Sequence, residues 1–266
     1  MTWNVSRICS TKQMRQTERA TQKGQSPRAE TRPAKIHLWR IDINRRGHEV
    51  NKLSGLLSDD EQARAARFRF ETHRRRWIAS RGMLRTILST FSDTAPAKLE
   101  FSYEPDGKPY LATAGGDRPV HFNLTHSGDL ALLAVTSVAP VGIDVEKVQP
   151  LRDINAVVDR FFCPAERETF HDLSDERLRL NAFYRCWTRK EAYLKAIGSG
   201  ILQPTHTFEV AFLPEAVPSI VAINGSRSAA SRWSLFNLEA MPGYIGALAM
   251  ETRSRMNLVW HEVPII

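Results

Sequence analysis

Two carboxylates lie two residues apart in the segment Gly142-Ile143-Asp144-Val145-Glu146. The apolar residues around them are typical of a β-strand, in which residues i and i+2 point to the same face. We therefore expect Asp144 and Glu146 to project from one face while Ile143 and Val145 face the core. Such carboxylates repel each other unless a cation lies between them, and Mg²⁺ prefers carboxylate oxygens and also binds substrate phosphates. Two solvated acids on an edge strand would produce the same pattern.

A third carboxylate occurs in a predicted helix, in the segment WTRKEAYLKA that begins at Trp187. Trp187, Glu191 and Lys195 are spaced i, i+4 and i+8, so they share one face of the helix. Glu191 and Lys195 would complete a site for a metal-bound pyrophosphate. The alternative is a surface Glu–Lys pair beside a packed tryptophan.

The segment FNLTHS, residues 122–127, places small hydroxyls and a histidine directly before a predicted strand. We expect a loop here, in which Thr125 and His126 are suited to hydrogen bonding with phosphate groups. His126 could equally be a turn or core histidine.

A basic region precedes these motifs. Within 22 residues the chain carries Arg64, Arg67, Arg69, Arg74, Arg75, Arg76, Arg81 and Arg85, opposed only by Glu61 and Glu71. A solvated face is the plain interpretation, but this number exceeds what solubility needs and favours an acidic ligand or partner. Nucleic acid is the competing partner, and the chain shows no zinc finger, helix-turn-helix or aromatic RNA-binding signature.

The elements that must position these residues are mixed helices and strands, so the predicted fold class is α+β. A strand is predicted in IHLWRID from about Lys35, and Ser58 with Glu61 forms a predicted capping box at a helix start. Further predictions are helices to about residue 70 and at 72–90, 151–162, 164–172 and 175–197, strands at 129–137 and 141–145, and a strand-rich end after Gly198.

An internal repeat is visible in the two longest predicted helices. Trp77-x3-Arg81-x2-Leu84-Arg85 aligns with Trp187-x3-Glu191-x2-Leu194-Lys195, and strands follow each helix. Four matching positions can arise by chance. A true repeat would imply two similar halves joined near residue 142 with a cleft between them.

The composition is that of an ordinary globular protein, with 266 residues of which 42% are hydrophobic and 25% charged. No apolar run approaches the ~18 residues of a membrane helix, and no signal peptide is evident. The three cysteines, Cys9, Cys163 and Cys186, predict reduced thiols and a cytoplasmic location. Of the net charge of +8, residues 1–35 hold +6, which predicts a disordered tail and weakens the case for nucleic acid.

The motifs GKPYL, FNLTHS, VGIDVEKV and WTRKEAYLKA, in this order, resemble the signature series of the double-length, surfactin-synthetase-type 4'-phosphopantetheinyl transferases. The resemblance runs from about residue 36 to 250. It implies two pseudo-symmetric α+β halves with the active site in the cleft between them. The expected organisation is a disordered basic tail at 1–34, an N-terminal half at 35–141 and a C-terminal half at 142–262.

The resemblance also implies roles for individual residues. Asp144, Glu146 and Glu191 match the carboxylates that bind the metal, expected to be Mg²⁺, and Glu191 is also the favoured general base. Lys195 matches a lysine that contacts the pyrophosphate. The positions matched to coenzyme A binding are Arg64 and Arg76 near the 3'-phosphate, Lys108 and Pro109 at the adenine, and Thr125, His126 and Lys190 at phosphates.

Two positions depart from the family pattern. Thr125 stands where serine is frequent, which retains the hydroxyl. Glu61 stands where a lysine occurs in the surfactin-type enzyme, so contacts with the 3'-phosphate are expected to shift to Arg64, Arg75 or Arg76.

The implied activity is transfer of the 4'-phosphopantetheine arm of coenzyme A to a serine of an apo acyl or peptidyl carrier protein, with release of 3',5'-ADP. The expected protein is a monomer that binds neither nucleic acid nor membranes. Two alternatives remain: a non-catalytic module that binds a carrier protein or nucleic acid, and a different magnesium-dependent phosphotransferase that acts without coenzyme A. The residues do not distinguish fatty-acid, polyketide and nonribosomal-peptide carriers.

Overall fold

The computed structural model describes residues 33–45, 48–112, 119–199 and 204–264. The predicted disordered tail lies outside the described residues except for its last two positions, and Cys9 lies outside them as well. Among the described residues, no helix is long and apolar enough to cross a membrane. Cys163 and Cys186 are buried free thiols, as predicted.

The first half of the chain runs through a strand, three helices, a two-stranded hairpin and two further strands. These are β1 (Ala34–Asp42), α1 (His48–Ser54), α2 (Asp59–Ala66), α3 (Glu71–Ser89), β2 (Phe101–Tyr103), β3 (Pro109–Leu111), β4 (His121–Ser127) and β5 (Leu130–Thr136). A 3₁₀ turn at Pro96–Lys98 leads into the hairpin.

The second half repeats this order. Its elements are β6 (Val141–Lys147), α4 (Ile154–Phe161), α5 (Pro164–His171), α6 (Glu176–Ile197), β7 (Phe208–Val210), β8 (Ile220–Ile223), the one-turn α7 (Arg227–Ala230), β9 (Trp233–Leu238) and β10 (Tyr244–Glu251). A 3₁₀ turn at Thr205–Thr207 again precedes the hairpin. The repetition confirms the predicted α+β class with two pseudo-symmetric halves. A domain boundary at residue 142 stays a prediction.

With the last strand, β11 (Met256–His261), the two main sheets have the strand orders β11-β1-β5-β4 and β6-β10-β9, and the hairpins β2-β3 and β7-β8 are separate. Strand β11 was not predicted; it returns to the first half and pairs with β1 in parallel. One apolar cluster joins the facing sides of the two sheets. Two further clusters fill the outer sides, one beneath α3 and one beneath α6. The layers are therefore helix, sheet, sheet, helix.

The acidic strand β6 has the predicted alternation. Ile143 and Val145 belong to the core between the sheets. Gly142 and Asp144 face the other way, because Gly142 abuts Ala192 of α6 and Asp144 contacts Lys195 of the same helix. This face therefore brings the carboxylates against the helix that carries the third one.

The segment FNLTHS lies in strand β4 rather than in the predicted loop. The loop was predicted from the small hydroxyls and the histidine that precede the strand at 129–137. Here Asn123, Thr125 and Ser127 instead bond to β6, while Phe122 and Leu124 pack on the core beneath α3.

Each half contains its own buried acid–base pair, which joins a short helix to the long helix that follows it. Glu61 accepts from Ser58 N (3.2 Å) in the predicted capping box and pairs with Arg81 and Arg85 of α3. In the second half, Glu166 accepts from Cys163 N (2.9 Å) and pairs with a lysine of α6, 2.7 Å away.

That lysine, Lys190, follows Glu166 by the same 24 residues that separate Arg85 from Glu61. Glu61 and Glu166 are 105 residues apart, whereas the aligned Trp77 and Trp187 are 110 apart. The structure therefore confirms the repeat. The buried pairs correspond at an offset of 105 residues, which differs from the offset of 110 in the tryptophan alignment.

The contact between β6 and α6 depends on Gly142. A Cβ atom at this position would lie within 3.0 Å of Ala192 O and of Ala196 N and Cα. We expect Gly142→Ala to cost more than ~3 kcal/mol of unfolding free energy, since backbone atoms cannot move aside as a side chain can. Gly55→Ala, whose nearest neighbour would be an ordinary 3.4 Å away, is the control and should change stability by less than ~1 kcal/mol. Urea unfolding measures both, and equal small effects would show that the close approach is not required.

The buried pair in the second half also makes a stability prediction. Lys190 is 1% exposed, so Lys190→Met leaves Glu166 as an uncompensated buried charge and should cost ~3–5 kcal/mol. The double variant Lys190→Met with Glu166→Gln should recover part of this loss because no buried charge remains. The exposed Lys98→Met is the control, with an expected change within ~0.5 kcal/mol. A Lys190→Met protein as stable as the control in urea would contradict the structural role.

Candidate active site

The candidate site lies where the edge of the first sheet meets β6. Alternate residues of β4 reach across: Asn123 accepts from Ile143 N (2.9 Å), and Ser127 Oγ donates to Glu146 Oε2 (2.7 Å) and accepts from Lys147 N (3.1 Å). These side chains thus hold β4 beside β6 and present the hydroxyls of FNLTHS to the acidic strand.

Asp144 is the centre of the site. It is 3% exposed, and its Oδ1 accepts from Lys195 Nζ (2.5 Å) and from Thr125 Oγ1 (3.0 Å). Burial raises the pKa of Asp144, and the positive charge of Lys195 opposes this. The other oxygen, Oδ2, is buried without a hydrogen-bond partner among the described residues. A buried acceptor left unpaired costs ~1–3 kcal/mol, which marks this oxygen as a position for a bound donor or cation.

Glu146 and Glu191 complete the acidic face. Burial raises the pKa of Glu146, with the negative charge of Asp144 adding to the shift. Burial likewise raises the pKa of Glu191; Lys195 opposes the rise, and Asp144 and Glu146 add to it. The three carboxylates therefore act on one another electrostatically, although they come from a strand and a separate helix.

These residues fit a divalent cation by chemistry, but they do not form a preassembled metal cluster. Among the described residues, no three acidic, histidine or cysteine side chains are close enough together to hold a metal ion. The observations in favour are the unpaired Oδ2 of Asp144 and a donor set of carboxylate oxygens, which hard cations prefer. Asp144, Glu146 and Glu191 are the residues that would hold it.

The predicted phosphate-binding residues divide into two groups. Thr125 lies in the cluster, because its hydroxyl also accepts from Lys195 Nζ (3.2 Å). His126 is next to it on β4. The pKa of His126 is lowered mainly by partial burial and further by the positive charges of Lys195 and Arg76. Arg76 pairs with Asp129 at the turn after β4. Arg64 lies over the Trp77 ring, 4.4 Å from its centroid.

The structure does not bring Lys190 to the cluster. Its ammonium pairs with Glu166 and donates to Thr205 O (2.8 Å) and Phe208 O (2.7 Å) in the core. Consecutive helix residues point ~100° apart, so Lys190 and Glu191 cannot share a face. Lys195, one turn beyond Glu191, is the lysine that the helix presents to the site.

The pair predicted at the adenine, Lys108 and Pro109, lies at the start of β3. Pro109 opens that strand. The Lys108 ammonium contacts backbone carbonyls of Val141 (3.2 Å) and Ala196 (2.9 Å), so its nitrogen is already bound to the second half.

Sequence reasoning missed the positioning residues. Asn123 and Ser127 had no assigned role, although their spacing with Thr125 is the period of two of a strand. Arg81 and Arg85 were counted in a ligand-binding basic region, but both pair with buried Glu61. The acid at position 61 therefore belongs to the core of the first half rather than to a phosphate site.

Comparison with known proteins identifies the family of the chain. The profile of the N-terminal domain of 4'-phosphopantetheinyl transferases matches residues 44–138, and that of the 4'-phosphopantetheinyl transferase superfamily matches residues 140–249. The 4'-phosphopantetheinyl transferase HetI of Nostoc sp. is 38% identical over 85% of this chain and 92% of its own length. A putative 4'-phosphopantetheinyl transferase of Synechocystis sp. is 36% identical over 55% of this chain and 58% of its own.

The 4'-phosphopantetheinyl transferase Sfp of Bacillus subtilis is 28% identical over 61% of this chain and 69% of its own length. The two profile matches cover both halves of the repeated fold, and the second contains the acidic strand β6 and the helix α6. The chain therefore belongs to the 4'-phosphopantetheinyl transferase superfamily.

Proposed function

We propose that this member of the superfamily transfers the 4'-phosphopantetheine arm of coenzyme A to a serine of an apo carrier protein, with Mg²⁺ at Asp144, Glu146 and Glu191 and with release of 3',5'-ADP. The observation that carries the proposal is the buried Asp144, whose one oxygen is held by Lys195 and Thr125 while the other is unpaired. A hard cation bound there would neutralise negative charge on the pyrophosphate of coenzyme A.

The chain supplies donors for the phosphates of coenzyme A along one end of β4. Thr125 holds Asp144 through its hydroxyl, His126 lies beside it on β4, and Arg76 brings a guanidinium to the turn that follows. Lys195 places its ammonium between these groups and the acids. This arrangement orients an anionic substrate without forming a bond to it, which is the usual division of labour in phosphoryl transfer.

Glu191 is the proposed general base for the serine of the carrier protein. It lies on the same helical face as Lys195, and its carboxylate is a group that can accept the proton of the serine. The serine oxygen would attack the phosphorus next to pantetheine as Glu191 takes its proton. The ammonium of Lys195 would stabilise the negative charge on the departing 3',5'-ADP.

The direct test incubates the protein with coenzyme A, Mg²⁺ and an apo carrier protein. Intact-mass spectrometry should show the addition of one phosphopantetheine arm to the carrier, lost with a chelator and restored by Mg²⁺. Phosphoryl transfer that proceeds without coenzyme A would favour a different phosphotransferase. Carrier binding without modification would favour a non-catalytic module.

Glu191→Gln tests the base. The substitution keeps the size of the side chain but removes the proton-accepting carboxylate, so we expect turnover to fall by roughly 10²-fold or more while coenzyme A still binds. The control is Glu176→Gln, the same change at the exposed start of the same helix, with turnover near that of wild type. Asp144→Asn should raise the Mg²⁺ requirement and respond to excess metal, whereas Glu191→Gln should not be rescued.

The outcomes separate the roles of Glu191. Full rescue by Mg²⁺ would leave it as a ligand only, and wild-type turnover in Glu191→Gln would refute the assignment of the site. Initial rates over a series of Mg²⁺ concentrations, with binding of coenzyme A by calorimetry, give the comparison.

The double variant Arg64→Glu with Arg76→Glu tests whether the basic region on helices α2 and α3 binds an acidic ligand or partner. We expect the KM for coenzyme A, the carrier or both to rise on the order of 10-fold at low salt, with a smaller change in kcat. The double variant Arg253→Glu with Arg255→Glu makes the same change of net charge at exposed residues of the β10–β11 turn and is the control. KM values equal to those of the control would identify the basic region as a solvated surface.

A further inference from the structure

The ammonium of Lys108 joins two elements of the other half of the chain. It donates to Val141 O (3.2 Å), in the first residue of β6, and to Ala196 O (2.9 Å), in the last turn of α6. The final carbonyls of a helix have no partner within the helix, and a positive group there is favoured by the helix dipole. Lys108 therefore acts on the ends of the two elements that carry the acidic cluster.

These two bonds lie beside the tight contact of β6 with α6 at Gly142. Gly142 follows Val141, and it has no room for a Cβ atom because the backbone of Ala192 and Ala196 fills that space. Asp144 comes two residues after Gly142 on β6. A small change in the angle or spacing of strand and helix at this point would move Asp144 relative to Glu191 and Lys195.

The surroundings of Lys108 are built to hold it. The side chain is partly buried, and burial lowers its pKa to about 8, with Glu104 opposing the shift. Helix α6 ends at Gly198, which has a left-handed backbone (φ 76°). A Cβ atom there would lie 2.5 Å from Glu104 Oε2 and 3.7 Å from Lys108 Cδ. The β2–β3 turn thus docks on the end of α6.

We propose that Lys108 is a positioning residue for phosphopantetheine transfer, whose ammonium clamps β6 to α6 and thereby sets the distance between Asp144 and Glu191. The inference rests on the proposed function of that acidic cluster. It differs from the role implied by family resemblance, in which Lys108 lines the adenine pocket. The side-chain nitrogen of Lys108 is bound to the carbonyls of Val141 and Ala196. Pro109 and the backbone of the β2–β3 turn are then the groups left to contact adenine.

The two roles predict different kinetics. A clamp that sets the geometry of the acids affects the reacting centre, for which a misplacement of about 1 Å costs on the order of 10²-fold in rate. An adenine contact instead affects the affinity for coenzyme A and for 3',5'-ADP, which carries the same adenine. Comparison of kcat with the binding of 3',5'-ADP therefore separates the two.

The experiment uses the full chain with Lys108→Met, which keeps the length of the side chain but has no donor, and Lys98→Met as an exposed control. We expect Lys108→Met to lower kcat roughly 10- to 100-fold and to raise the Mg²⁺ concentration needed for half-maximal rate. The Kd of 3',5'-ADP, measured by calorimetry without metal, should stay within about threefold of wild type, a shift of less than ~0.7 kcal/mol. Lys98→Met should match wild type in all three.

Urea unfolding first establishes that each variant is folded at the assay temperature. If Lys108→Met is unfolded, Lys108→Arg, which keeps donors, takes its place, and a lowered kcat with unchanged 3',5'-ADP affinity again supports the clamp. Unchanged kcat and Mg²⁺ dependence, or weakened 3',5'-ADP binding alone, would overturn it. Absence of transfer by the wild-type protein would instead refute the proposed function, so the two failures are distinguishable.

Discussion

The structure depends on the pairing of one buried carboxylate, that of Asp144. A buried acid without a partner costs several kcal/mol, so its surroundings must supply positive charge and hydrogen bonds. Lys195 supplies the charge from α6, and Thr125 supplies a hydroxyl from β4. Because these groups come from three elements in both halves of the chain, satisfying Asp144 also joins the halves. Gly142 and the polar edge of β4 follow from the same requirement, since strand and helix must be close for Lys195 to reach.

The repeat shows why only one half carries this chemistry. Both halves use a buried glutamate at a helix start to hold the next long helix, Glu61 in the first and Glu166 in the second. They differ on the strand beneath that helix. In β1 the positions facing α3 are filled by Trp39 and Ile41, which belong to the core. In β6 the positions facing α6 are Gly142, Asp144 and Glu146, so the space that core packing uses in the first half holds acids in the second.

The sequence was most informative where the spacing of residues within one helix or strand determines which way their side chains point. The spacing of Asp144 and Glu146 placed both acids on one strand face, and the capping box at Ser58 marked the start of α2 correctly. Contacts between distant segments could not be read in this way. FNLTHS looked like a loop because nothing local shows that β6 lies opposite its polar residues. The pairing of β11 with β1, and of Glu166 with Lys190, joins segments whose adjacency only the folded chain reveals.

The hydroxyls of the described site are held by hydrogen bonds within the chain. Each hydroxyl beside the acids already has a structural bond: Thr125 donates to Asp144, and Ser127 donates to Glu146 while accepting from Lys147 N. The thiol of Cys163 is buried, which raises its pKa to about 11 and keeps it protonated near neutral pH. Among the described residues of the cluster, the chain thus offers acids and donors but no activated nucleophile of its own. This composition fits the proposed transfer, in which the hydroxyl belongs to a serine of the carrier protein.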